Sequence, residues 1–222
     1  QSPEIDVFLA QWNCLDEIGD FRPRILVVGD SIASDKAWVM REAGFPVANL
    51  AGAGCPLLPR PEPIYHACAQ IIRYAYDIAL IGRIDAIVLS NAWTLPISTE
   101  EQLSILNHWN RTGLPLLIVS GMPSFDDLRD RIPRQIREGR PLHDITYNRR
   151  AFDEHMNSLS IFRTAGIPIL NSRELLCGTG PCSAFSGREP LMNDSIHLKA
   201  GGARRMAVNL ARDPIWLTWI EK

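Results

Sequence analysis

Short apolar runs, each closed by small or polar residues and separated by helix-length segments, leave this chain few ways to fold. The clearest run is Ile25-Leu26-Val27-Val28, with three of four residues β-branched, and it stops at Gly29-Asp30-Ser31. A stretch that is apolar at every position reads as a strand covered on both faces, the habit of parallel sheets. Ile84–Ser90 repeats the pattern, and Leu114–Ser120 does so with Pro115 near its start. Phe45–Leu50 and Ile167–Leu170 are shorter candidates. Helical spacing predicts helices from Ile32 to about Ala43 and over 64–82, 99–112, 150–165 and 198–212, the third capped by Ser98 or Thr99 and stopped by Gly113. Strands alternating with helices of these lengths predict a three-layer α/β/α sandwich around a mostly parallel five-stranded sheet.

A chain of 222 residues is long enough to bury one sizeable core. Residues 1–23 read as a lead-in that packs on the domain through Ile5, Phe8, Trp12 and Leu15, and residues 24–222 as the domain itself. A formal charge of -2 gives no electrostatic reason to expect a nucleic-acid or anionic-membrane partner. No apolar run approaches the ~20 residues that span a bilayer, and no signal peptide is visible. The start at Gln1 rather than Met reads as an excised or processed piece of a longer product.

Right-handed crossovers place the carboxyl end of every parallel strand on one edge of the sheet. Several chemically capable residues converge on that edge. Ser31 sits at a strand-to-helix turn, where a hydroxyl meets the positive end of a helix. Taken alone, Asp30 or Ser31 equally suits an ordinary N-cap. Ala51-Gly52-Ala53-Gly54-Cys55-Pro56 is a small-residue loop whose backbone N–H groups a ligand can approach closely. Asn91 follows the third strand. Asp194-Ser195-Ile196-His197 precedes the last long helix and presents a carboxylate and an imidazole three residues apart. Acyl transfer by serine needs such a base, a carboxylate to orient it, and donors for the oxyanion. Asp194 would hold the Nδ1–H tautomer of His197 and leave Nε2 facing Ser31. His66, His108, His143 and His155 lack an aspartate so placed and read as surface histidines.

Two further features carry no chemistry by themselves. Residues 122–144 hold Arg129, Arg131, Arg134, Arg137 and Arg140, which suit either a solvated, self-paired face or a lid over the strand ends. Five cysteines, Cys14, Cys55, Cys68, Cys177 and Cys182, include two close pairs in or beside Pro/Gly-rich loops. Bridges at Cys55/Cys68 and Cys177/Cys182 would contribute roughly 3 and 2 kcal/mol by chain entropy. Two bridges drawn from five cysteines can be arranged in several ways, and five reduced thiols suit the spacing as well. A zinc site lacks a second ligand pair.

Together, Gly29-Asp30-Ser31 and Asp194-x-x-His197 resemble the SGNH (GDSL-like) hydrolases, in the right order and across nearly the whole chain. Gly54-Cys55-Pro56-Leu57, the Cys177/Cys182 pair and Pro190–Leu198 narrow the likeness to the extracytoplasmic SGNH domains attached to membrane acyltransferase-3 proteins that O-acetylate cell-surface polysaccharides. The resemblance implies a flavodoxin-like sheet with Ser31 as nucleophile, His197 as base and Asp194 as its orienting partner. It further implies oxyanion donors from the Ser31 backbone N–H and from a glycine of the second block, where Gly54 fits better than Gly52; for the third, either Asn91 supplies its amide from a shifted register or the donor is missing. Ser90-Asn91-Ala92-Trp93 departs from the Gly-x-Asn-Asp block of the wider family, although Trp93 resembles a tryptophan of the acyltransferase-linked subgroup. The implied activity is acetyl transfer through an acyl-Ser31 intermediate to a polysaccharide or oligosaccharide hydroxyl, with a membrane acyltransferase domain as acetyl donor and no cofactor or metal. An acetyl or carbohydrate esterase using the same residues is the alternative, and an inactive carbohydrate-binding module the third. The paired cysteines and the resemblance together imply the periplasm or cell exterior.

Overall fold

The computed structural model describes residues 23–59, 66–92, 97–125 and 127–221. The lead-in through residue 22, with Cys14, and Trp93 lie outside them. In chain order the elements are β1 Ile25–Gly29, α1 Ser31–Glu42, β2 Val47–Ala51, α2 His66–Leu80, β3 Ala86–Ser90, α3 Thr99–Asn110 and β4 Leu116–Val119. There follow α4 Leu128–Arg137, a 3-10 turn at Leu142–Asp144, α5 Arg149–Ser158, α6 Ser160–Thr164, β5 Ile169–Leu170 and α7 Ser172–Cys177. The chain closes with the short strands β6 Phe185–Ser186 and β7 Glu189–Pro190, then α8 Ala200–Leu210 and α9 Pro214–Ile220.

The expected five-stranded sheet has the order β2-β1-β3-β4-β5, and each neighbouring pair is parallel. Alternation along β1 shows why the run had to be apolar throughout. Ile25 and Val27 enter one core layer with Ile32, Ala37 and Met40 of α1 and Met206 and Leu210 of α8. Leu26 and Val28 enter the other with Ile72 and Ile78 of α2 and Ile105 and Trp109 of α3. Successive side chains of a strand face opposite ways, so a sheet covered by helices on both sides needs hydrocarbon at each position.

The register aligns the strand ends. Gly29 sits beside Ala51 on one side and Ser90 on the other. Gly29 leaves no room for a side chain, since a Cβ there would overlap the Ser90 carbonyl oxygen. The loops after β1, β2 and β3 therefore leave the sheet at one level, and Asp30 ties two of them together. Its Oδ1 accepts from Ile32 N–H at 2.9 Å, capping α1, and its Oδ2 accepts from Ala92 N–H at 2.7 Å.

Several expectations are refined. The predicted 150–165 helix breaks at Leu159, a fully buried residue that packs into the second core layer. Ser98, not Thr99, caps α3, its hydroxyl accepting from Glu101 N–H. Helix α7, which ends at Cys177, is capped by Asn171, and α9 by Asp213 with Pro214 in its first turn. Both cysteine pairs are bridged, Cys55–Cys68 and Cys177–Cys182. In the arginine-rich stretch, the exposed Arg134 and Arg140 both pair with Glu138, and Arg131 donates to the Thr146 carbonyl. Among the described residues no helix is long and apolar enough to cross a membrane.

Candidate active site

Ser31 is the first residue of α1, held by the Asp30 cap where β1 ends. Its hydroxyl therefore stands at the carboxyl edge of the sheet and at the helix end whose dipole favours developing negative charge. His197 comes from the loop before α8, and its Nε2 lies 2.9 Å from Ser31 Oγ. On the other side of the ring, His197 Nδ1 lies 2.8 Å from Asp194 Oδ2 and 3.0 Å from Oδ1. An ionised carboxylate can only accept, so Nδ1 carries the ring proton and Nε2 is left to accept from the Ser31 hydroxyl. The three residues predicted from sequence thus form one continuous hydrogen-bonded relay.

The loop that carries His197 is stiffened from within. Asp194 Oδ1 accepts from the N–H groups of Ile196 at 2.9 Å and His197 at 2.8 Å, and Asn193 N–H donates to the His197 carbonyl at 2.7 Å. Burial raises the Asp194 carboxyl, but the Ile196 and His197 N–H groups and the His197 ring outweigh it and hold Asp194 below its ordinary value. The anion is thereby kept as the acceptor that the imidazole needs. Outside the loop, Ser195 accepts from Phe125 N–H at 2.9 Å, and Leu198 N–H donates to Asp35 Oδ2 at 3.0 Å.

The second loop is equally constrained. Cys55 is bridged to Cys68 in α2, its N–H donates to the Gly52 carbonyl, and Trp109 Nε1 donates to the Leu57 carbonyl at 3.0 Å. Asn91 Nδ2 donates to the Cys55 carbonyl at 3.1 Å, so one amide hydrogen of Asn91 fastens this loop to the end of β3. Gly54 has φ +68, a left-handed backbone that glycine adopts without cost. Gly54 is exposed, and among the described residues its N–H, like that of Ser31, donates to no protein acceptor.

Two charged residues of this region, Asp35 and Lys36, were not singled out from the sequence. Asp30 and Lys36 are buried, and Asp35 and Lys36 lie within the first turns of α1. Burial raises the Asp30 carboxyl despite its three backbone donors. Burial likewise raises Asp35, partly offset by the Leu198 N–H and the charges of Lys36 and His197. Lys36 is only 1% exposed, packs its ammonium against the Met122 sulfur, and is lowered by burial to about 7 against the pull of Asp35 and Asp30. The usable signal was position: residue 35 lies one helical turn beyond Ser31.

The other histidines divide. His143 is exposed beside Asp144. His155, expected on the surface, is buried; its Nε2 accepts from Gly121 N–H at 3.0 Å and burial lowers it to about 4. His108 is half-buried between Tyr76 and Trp109. The His66 side chain lies outside the described residues.

With this geometry in hand, likenesses to known proteins can be weighed. A family model described as the SGNH domain fused to AT3 domains matches residues 10–212. Among curated proteins none matches this chain in sequence. Among solved structures, the chain is similar to the periplasmic domain of the Salmonella ser. Paratyphi A lipopolysaccharide acetyltransferase, with a TM-score of 0.69, 12% identity, and 96% of this chain and 97% of that one covered. It is also similar to a GDSL-like lipase from Bacteroides thetaiotaomicron, with a TM-score of 0.50, 10% identity, and 93% and 95% covered. At these identities the structural likenesses establish a shared fold.

Proposed function

We propose that this chain, which belongs to the family of SGNH domains fused to AT3 domains, is a serine-dependent O-acetyltransferase acting on a cell-surface polysaccharide. One observation carries the reading: the unbroken relay from Ser31 Oγ to His197 Nε2 at 2.9 Å and from His197 Nδ1 to Asp194 Oδ2 at 2.8 Å. Ser31 Oγ attacks an acetyl carbonyl while His197 takes the hydroxyl proton. The oxyanion is received by the Ser31 and Gly54 N–H groups and by the second Nδ2 hydrogen of Asn91, in a loop already rigid before the acyl group arrives. Collapse expels the donor's leaving group with the proton from His197 and leaves acetyl-Ser31. A sugar hydroxyl then attacks that ester, gives its proton to His197, and departs acetylated as Ser31 is regenerated. Asp194 orients the imidazole and stabilises its protonated form in both halves.

Family membership supports an acetyl donor in a membrane acyltransferase domain, and the two disulfides suit an oxidising, extracytoplasmic setting. The Salmonella lipopolysaccharide acetyltransferase domain supports a polysaccharide acceptor. Ser31 and His197 are both half-exposed, so water also reaches the relay, and acetyl-ester hydrolysis by the same residues is the second reading. The test is to incubate the chain and a Ser31→Ala variant with an activated acetyl ester and surface oligosaccharides, then analyse by mass spectrometry. Acetylated sugar that depends on Ser31 supports transfer; free acetate with unmodified sugar supports the esterase.

A further inference from the structure

The geometry points to Asp35 as the positioning residue that holds the His197 loop against the Ser31 helix. This assignment rests on the proposed roles of Ser31 and His197. Within the relay only the His197 ring reaches α1, because Asp194 and His197 travel together on the loop. The Asp35 carboxylate supplies a tie. It projects from α1 one turn beyond Ser31 and accepts from the backbone N–H of Leu198, the residue immediately after His197, at 3.0 Å. Ser31 and Asp35 therefore engage consecutive residues of the same loop, His197 through its ring and Leu198 through its backbone. Phe125 N–H, in the segment after β4, donates to the Ser195 carbonyl, so the loop is held from two places.

Lys36, the next residue of α1, packs its side-chain nitrogen against the Met122 sulfur, while the Asp35 carboxylate turns to the Leu198 N–H. Asp35 and Asp30 are the charged neighbours of Lys36 on this helix and turn, and His197 and Asp194 are those of Asp35 from the loop. The Asp35 carboxylate accepts one particular N–H, and losing that acceptor leaves the Leu198 amide without its partner.

The test compares Asp35→Ala, Asp35→Leu and Asp35→Asn in the otherwise unchanged chain. Two readouts are used, the rate at which a fluorophosphonate probe labels Ser31 and kcat and KM for an activated acetyl ester. Loosening the loop misplaces His197 without altering ester contacts, so Asp35→Ala and Asp35→Leu are expected to lose roughly 10- to 100-fold in kcat and labelling with KM little changed. Asparagine keeps an acceptor oxygen for the Leu198 N–H and is expected to restore most of the rate. Wild-type labelling rates in the Ala and Leu variants would overturn the assignment, as would an Asn variant as slow as Ala. Should Ala and Leu fail to fold, deuterium exchange at the Leu198 amide of the wild-type chain decides: protection supports the tie, and exchange as fast as in an open loop refutes it. A wild-type chain that the probe does not label at Ser31 would instead defeat the reading of Ser31 as nucleophile.

Discussion

Residues 25–28 and residues 29–36 follow one another along the same β1–α1 unit, yet they bury opposite kinds of chemistry. Ile25, Leu26, Val27 and Val28 are fully buried and bring only hydrocarbon into the two core layers. The next eight residues bring Asp30 and Lys36 to near-complete burial, set Asp35 against the Leu198 amide, and stand Ser31 at the helix start. Burial without polar groups yields stability in proportion to area. Buried charge costs free energy unless it is hydrogen-bonded and paired, and it is retained here where backbone N–H groups and a reactive hydroxyl need fixed positions. Strand body and strand end are thus separable, one supporting the fold and the other arranging the site.

The largest effect that would break this separation is at Ser31. Ser31→Ala is expected to lower acyl transfer by about 10³-fold or more. The same variant should change stability by no more than about 1 kcal/mol, or ~2–4 °C in Tm, because it removes one half-exposed hydrogen bond. Retained activity together with a large loss of Tm would invert the comparison. Leu26→Ala is the mirror experiment. It should cost about 2–5 kcal/mol in urea unfolding while leaving the rate per folded molecule unchanged.

Gly29 marks the border, and Gly29→Ala should damage both properties. A Cβ would overlap the Ser90 carbonyl, forcing β1 and β3 apart just before Asp30 and Ser31. We expect a loss of about 1–3 kcal/mol together with slower acylation. If only one of the two readouts moves, the border lies elsewhere.

The shallowest signal is a pH slope, read per pH unit. Lys36 titrates near 7 in the folded chain against an ordinary value of 10.5. Between those values the unfolded chain binds more protons than the folded one, so stability rises with pH across the window. Its slope is at most about 1.4 kcal/mol per pH unit for one proton. Urea unfolding at several alkaline pH values should show the rise in the wild type and lose it in Lys36→Met.

The same division governs what could be read from sequence. Strand β1 was legible because hydrocarbon at four successive positions has few meanings, and Ser31, Asp194 and His197 because a Gly-Asp-Ser turn after a strand and an Asp-x-x-His spacing are recognisable. Helices α7 and α9 were missed: they span only 172–177 and 214–220, and local caps at Asn171 and Asp213 start them rather than a long apolar period. The break at Leu159 was hidden because residues on both sides are helical. Asp35 and Lys36 were illegible for a different reason. On a helical projection they look like ordinary surface charges of α1, and their roles depend on Leu198, more than 160 positions away, and on Met122 across the sheet edge. His155 likewise acquires its burial only when Gly121 arrives from the end of β4.

The most direct test of the central claim is to trap the acyl-enzyme. The chain would be mixed with an activated acetyl ester, quenched in acid within the first turnover, and its peptides mapped by mass spectrometry. A single acetyl group is expected on the Ser31 peptide, absent from Ser31→Ala and reduced in His197→Ala. Turnover of the ester with no acetyl on Ser31, or with the acetyl group on another residue, would contradict the claim.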